Sequence, residues 1–149
     1  MSQEQSTSIV VRSGQPFDWD IIINGFKDIL RREPNASYIR EVTQKYPSVV
    51  VMDGERFIGF AYCGFMSPDV LELANIALHN DYRNSGIGSQ MLQRLEAEAS
   101  QNYKAVMLTN STLYGNEAGK REATNFYLKN GYRLVACTDS TNLFWKDLI

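Results

Sequence analysis

Histidine is almost missing from this chain: His79 is the only one among 149 residues. A His-based metal cluster or a Ser-His triad would have to be built around that single side chain, so neither is expected. Cysteine is nearly as scarce. Cys63 and Cys137 show no CxxC spacing and cannot form a disulfide framework, which fits a reducing compartment and two side chains packed in strands. No apolar run reaches the roughly 18 residues of a membrane span, and the opening MSQEQSTS is polar where a signal peptide would be apolar. The expected location is therefore the cytoplasm, with no membrane partner. Neither sign of charge dominates. Fifteen Lys and Arg against seventeen Asp and Glu leave −2, which removes the electrostatic basis for a nucleic-acid backbone as the main partner. A nucleotide held at one local anion site stays open.

What is present is the composition of one globular domain, 44% hydrophobic and 21% charged. Residues 1–7 read as a mobile polar tail and 8–149 as the domain. Ser8 to Arg12 is a β-branched run; Trp19, Ile22, Ile23, Phe26, Ile29 and Leu30 then fall at helical spacing. A second helix carries Tyr38, Ile39, Val42 and Tyr46, with Asn35 or Ser37 to cap it and Pro47 to close it. Ser48–Asp53 and Glu55–Phe65 read as antiparallel strands joined at Asp53-Gly54. Val70–Leu78 is another strand, followed by a helix with Ile87, Met91, Leu92, Leu95 and Ala99 on one side. Lys104–Thr109 is a short strand. Ala123, Phe126 and Tyr127 mark a fourth helix stopping at Gly131, and Tyr132–Thr138 with Thr141–Lys146 form a last hairpin. The order β-α-α-β-β-β-α-β-α-β-β implies an α/β fold of the α+β type: a single domain with a mixed, mostly antiparallel sheet and helices on both faces.

The segment LELANIALHNDYRNSGIGSQMLQRLEAEA, residues 71–99, runs a strand into a glycine-bearing loop that opens a helix. Such a junction offers unpaired backbone N–H groups and the positive end of the helix dipole, which suits a phosphate. Gly86 and Gly88 let an anion approach the main chain, and Arg83 adds charge. The competing reading is a tight turn whose glycines merely pack. A Walker loop is excluded because Gly-Lys-Ser/Thr is absent, and the dinucleotide fingerprint fails at Met91.

The run Arg83-Asn84-Ser85-Gly86-Ile87-Gly88 resembles the Q/R-x-x-G-x-G/A signature of the GCN5-related N-acetyltransferases (GNAT), with Asp81-Tyr82 as its approach. Phe126-Tyr127-Leu128-Lys129-Asn130-Gly131-Tyr132 is similar to that family's second signature, a helix tyrosine followed by Gly-aromatic. The resemblance implies acetyl-CoA as cofactor, with the pyrophosphate on the main chain of Arg83, Asn84, Ser85, Gly86, Ile87, Gly88 and Ser89. It also implies that Ile76, Ala77 and Leu78 pair their backbone with the pantetheine arm. Tyr127 matches the tyrosine that faces the CoA sulfur as general acid; a core role is the alternative. Glu72, on the same alternating side as Ala74, Ile76 and Leu78, matches a general-base position; an exposed strand-end carboxylate is the alternative. Many relatives carry Asn where this chain has Lys120, with Asn116 or Asn125 as possible substitutes. In that family the segments that carry Trp19, Phe26, Tyr38 and Phe65 wall the acceptor site, with core packing as the alternative, and His79 reads as a loop residue beside the cofactor.

The implied function is acetyl transfer to a primary amine on a small molecule or protein. A non-catalytic acyl-CoA sensor is the alternative, and an RNA-modifying enzyme fits the slight negative charge poorly. A homodimer formed through the final hairpin is a further expectation.

Overall fold

The computed structural model describes residues 8–111 and 117–148, Glu117 by its backbone only. Along the chain it places β1 (Ile9–Ser13), α1 (Trp19–Leu30), α2 (Ala36–Lys45), β2 (Ser48–Asp53), β3 (Arg56–Ser67), β4 (Val70–Leu78), α3 (Ile87–Ala99), β5 (Ala105–Ser111), α4 (Glu117–Lys129), β6 (Arg133–Cys137) and β7 (Thr141–Asp147). This is the order expected from the sequence. The elements form an α/β domain around one seven-stranded sheet, ordered β1-β2-β3-β4-β5-β7-β6 and antiparallel except between β4 and β5. The parallel pair is joined through α3, as a crossover must be.

Helices cover both faces. On one, Ile87, Met91, Leu92 and Leu95 of α3 and Tyr127 of α4 pack over Val49, Val51, Ala61 and Leu73. On the other, Ile22, Phe26, Ile39 and Val42 of α1 and α2 pack over Val50, Phe60 and Tyr62. Neighbouring strand residues thus feed opposite cores, which is why β2 and β3 are apolar throughout. Asn35 caps α2 by accepting from Tyr38 N at 3.2 Å. Ahead of α1, Asp18 is buried and takes two hydrogen bonds from Arg12, at 2.7 and 3.1 Å, and one from Gln15 N at 2.6 Å.

Several local expectations are corrected. Asp53 pairs with Arg56, so the two-residue hairpin loop is Gly54-Glu55 rather than Asp53-Gly54; Gly54, at φ 59, supplies the left-handed residue. Cys63 is buried as expected, but Cys137 is exposed, because every residue of the edge strand β6 is exposed. A bulge at Ala74 changes the phase of β4. Tyr62 faces Asn75 and Cys63 faces Leu73, leaving Ala74 as the extra residue. Ile76 and Leu78 therefore pack on the α3 side, while Ala74 joins the α1/α2 side. Glu72 does not share a face with Ile76 and Leu78.

Candidate active site

The sheet opens next to this bulge. Only Val70, Leu71 and Glu72 pair with β5, against Ala105, Val106 and Met107. Beyond Glu72 the β5 strand continues along β7 to Ser111, while β4 continues along β3 to Leu78. Among the described residues the β4 edge facing the opening consequently has no strand partner and presents main-chain N–H and C=O groups. A groove of about 310 Å³ lies there, between Ile76, Ala77 and Leu78 on β4 and Ala123, Phe126 and Tyr127 on α4.

At the end of β4 the chain turns into the loop that starts α3. His79 N donates to Ile58 O at 2.8 Å. His79 Nδ1 accepts from Asp81 N at 3.2 Å, and Nε2 lies 3.1 Å from the Arg56 guanidinium. His79 thus caps the turn that opens the loop. Tyr82 hydrogen-bonds Asp53 of the β2–β3 hairpin, and Ser85 Oγ bonds Tyr82 O, so the loop is fastened from both sides. Asn84 at φ 60 and Gly86 at φ 84 make the left-handed steps that lead into the helix.

Gly86 stands at the N-cap of α3 and has no side chain with which to cap it. The first-turn N–H groups of Ile87, Gly88 and Ser89 are those a helix cannot satisfy internally. A Cβ on Gly86 would meet nothing within 4 Å, so the space before these donors is open. Gly88 is a glycine for a different reason: a Cβ there would lie 3.0 Å from the Phe126 ring. A recess of about 260 Å³ in front of the helix is lined by Asn84, Gly86, Gly88, Ser89, Asn125 and Lys129, among others. Arg83 and Asn84 are exposed, whereas the Ile87 side chain is fully buried in the core and only its backbone can serve a ligand.

Tyr127 lines the groove with its ring packed against Phe144 and Tyr132, at centroid distances of 5.2 and 6.0 Å. Burial pushes its phenol up to about 12. Glu72 stands at the apex of the opening, half-buried on the α1/α2 side. Its Oε1 lies 3.6 Å from the point where a Cβ on Gly64 would sit, and the Tyr38 hydroxyl lies 2.3 Å from that point. The absence of a side chain at Gly64 leaves room for the Tyr38 hydroxyl on the side of the carboxylate. Burial, followed by the Glu72 charge, raises the Tyr38 phenol above its ordinary value. The bulge therefore divides β4 in two, aiming Glu72 to one face while Ile76 and Leu78 pack on the other.

Of the aromatic residues expected to wall an acceptor, Phe26 is buried in the core and Phe65 is exposed. Trp19 is covered by the Arg40 guanidinium at 4.7 Å, and Tyr38 alone stands beside Glu72. Asn116 falls outside the described residues, while Asn125 lines the recess. Sequence reasoning missed Phe126 and Lys129 as lining residues. The signal was there, since Glu122, Phe126 and Lys129 recur at helical spacing along one face of α4.

A strand split beside an uncapped, glycine-bearing helix start offers main-chain hydrogen bonds to an extended chain that ends in an anion. The model of the acetyltransferase (GNAT) domain matches residues 44–134. The chain belongs to the GNAT acetyltransferase family, which makes it an acetyltransferase with acetyl-CoA as its acyl donor. No curated protein matches it. Its fold is similar to that of the ribosomal-protein-S18-alanine N-acetyltransferase from Escherichia coli, at 16% identity, TM-score 0.74 and 94% coverage of each chain. An aminoglycoside 6'-N-acetyltransferase solved with coenzyme A shows 16% identity and TM-score 0.75, over 94% of this chain and 97% of its own. Salmonella typhimurium yncA, solved with acetyl-CoA, shows 14% identity and TM-score 0.72, over 96% and 95%.

The residues present fit this donor. The open space at Gly86 before uncapped N–H groups suits a diphosphate, and the unpartnered β4 edge suits an extended amide chain. Among the described residues no helix is long and apolar enough to cross a membrane.

Proposed function

We propose that the protein transfers an acetyl group directly to a primary amine, on a small molecule or a protein, within a ternary complex. The observation that carries this reading is the sheet opening, which sets the Glu72 carboxylate at its apex and the Tyr127 phenol on its α4 wall. The main chain of Arg83, Asn84, Ser85, Gly86, Ile87, Gly88 and Ser89 holds the diphosphate, and that of Ile76, Ala77 and Leu78 holds the pantetheine arm. Acetyl-CoA supplies the acyl group already activated as a thioester.

A lysine-like amine has a reference pKa of about 10.4 and is mostly protonated at neutral pH. Glu72, directly or through water, accepts that proton so that the nitrogen lone pair can attack. Tyr127 keeps its own proton at neutral pH, because burial holds the phenol near 12, and can donate it to the departing thiolate. Both groups occupy fixed positions, so much of the rate comes from holding amine and thioester together.

The test is a panel of amine acceptors followed by release of free CoA thiol. Glu72→Gln and Tyr127→Phe should each lower turnover, and intact turnover in both variants would overturn the two roles. Tight CoA binding with no turnover across the panel would make the chain an acyl-CoA sensor instead. The same reading places the protein in the cytoplasm, where the exposed Cys137 stays reduced. It also pairs two copies through the edge strand β6, where Leu134 and Val135 are exposed. Sedimentation of wild type against Val135→Lys reads that pairing.

A further inference from the structure

The C-termini of α2 and α3 converge on a second cavity, of about 370 Å³, lined by Ser13, Gln44, Tyr46, Glu98, Gln101 and Tyr103 among others. It lies along α3 from the Gly86 loop by the length of that helix, on the order of 18 Å. We propose that this cavity binds a small organic cation of the alkylammonium class, held by Glu98 and the carbonyl groups at the end of α2.

Three observations converge on it. The last carbonyls of a helix lack internal partners and carry negative partial charge. At the end of α2, Tyr46 N is used by Val42 O and Pro47 has no N–H; no described backbone N–H outside the helix reaches the carbonyls of Thr43, Gln44 or Lys45. Second, Glu98 Oε2 is buried with no hydrogen-bond partner among the described residues. Arg94, one turn earlier and placed for an i, i+4 pair, lies instead 3.5 Å from Val11 O. Lys45 pairs with Glu41 at 3.1 Å. One carboxylate oxygen and several carbonyls are thus short of donors among the described residues, and a polar atom buried in that state is costly unless a partner supplies them.

Third, Tyr46 and Tyr103 bring aromatic surface to the same cavity. Burial raises the Tyr103 phenol, with Tyr46 and Cys63 adding to the effect, so it stays neutral over the ordinary pH range. Aromatic faces attract cations and also accept an alkyl chain. The cavity is far larger than the roughly 30 Å³ share of one water, so a bare alkali ion would leave it mostly unfilled.

The test is a titration of the full chain with n-butylammonium chloride, followed by amide chemical shifts, against potassium chloride at equal ionic strength. Saturable shifts confined to residues 13–16, 43–47 and 98–103, absent with potassium, are expected. Glu98→Gln should weaken binding at least about tenfold, the scale of one charge-assisted hydrogen bond, and leave basal acetyl transfer unchanged. Tyr103→Phe keeps the ring and should weaken binding less. Thermal melting reports whether each variant is folded; should Glu98→Gln not fold, Tyr103→Phe decides. Non-saturable shifts, equal shifts with potassium, shifts centred on Glu72 and Tyr38, or unchanged affinity in the folded variants would each overturn the proposal.

Discussion

Burial raises the Tyr127 phenol from its ordinary value to about 12, so the group titrates well above the range in which the enzyme would be assayed. A general acid works while protonated; its contribution is present below the folded pKa and is lost as pH rises through it. The kcat profile should therefore show no alkaline limb from Tyr127 between pH 7 and about 10. Tyr127→Phe should lower kcat by about 10²-fold with the apparent Km for acetyl-CoA within about twofold, since the ring still packs on Phe144. A limb in that range that vanishes in Tyr127→Phe would show the phenol to be far less buried than it is here. The stability linkage has the same sign. The folded pKa exceeds the unfolded one, so the contribution is full below about 10 and is lost between about 10 and 12. Urea midpoints should fall over that interval, and less steeply in Tyr127→Phe.

At the scale of the element, the proposed hold on the donor rests on the start of α3 and the adjoining strand β4. Gly86 sits at φ 84 with open space around its absent Cβ, so Gly86→Val meets no clash but must adopt a left-handed backbone. That strain should cost about 1–2 kcal/mol, and the new side chain would stand before the Ile87, Gly88 and Ser89 amides. Calorimetry should show CoA binding weakened by at least about tenfold, and unchanged affinity would remove the diphosphate from this loop. Gly88→Val should act otherwise, by pressing on Phe126 and narrowing the groove wall. This loop was legible in the sequence because its backbone conformation demands particular residues. The bulge at Ala74 was not. Leu71-Glu72-Leu73 alternates and Ala74-Asn75-Ile76 shifts that phase by one residue, a faint signal that no glycine or proline reinforces. Its consequence, Glu72 and Ile76 on opposite faces, depends on pairing with β3, which is non-local. Cys137 was misjudged for a related reason: the apolar run Leu134-Val135-Ala136-Cys137 looks buried until the sheet order makes it an edge.

At the scale of the molecule, one polar cluster ties together elements distant in sequence. Glu96 of α3 accepts from Tyr132 OH at 2.8 Å and from Lys146 Nζ at 2.7 Å, and Lys146 also donates to Asn130 O at 2.8 Å. It joins α3, the turn after α4 and β7, the strand inserted between β5 and β6. Burial, and then the Glu96 charge, raises the Tyr132 phenol far above its ordinary value, so Tyr132 is a donor at every assay pH. The cluster secures the end of the helix that carries Tyr127, because Tyr132 N donates to Tyr127 O at 3.0 Å and the two rings pack together. The Glu96 and Lys146 side chains are only 11% and 27% exposed, so removing one partner leaves a charge with little solvent to take its place. Lys146→Met should therefore cost about 3 kcal/mol in urea denaturation. Glu96→Gln with Lys146→Met removes both charges and should cost less than the sum of the single variants, with a coupling of about 1–2 kcal/mol. Additive losses would mean that the pair is screened by solvent, and the end of α4 would then be held by the packing of the Tyr127, Tyr132 and Phe144 rings and by the hydrogen bonds of Tyr132.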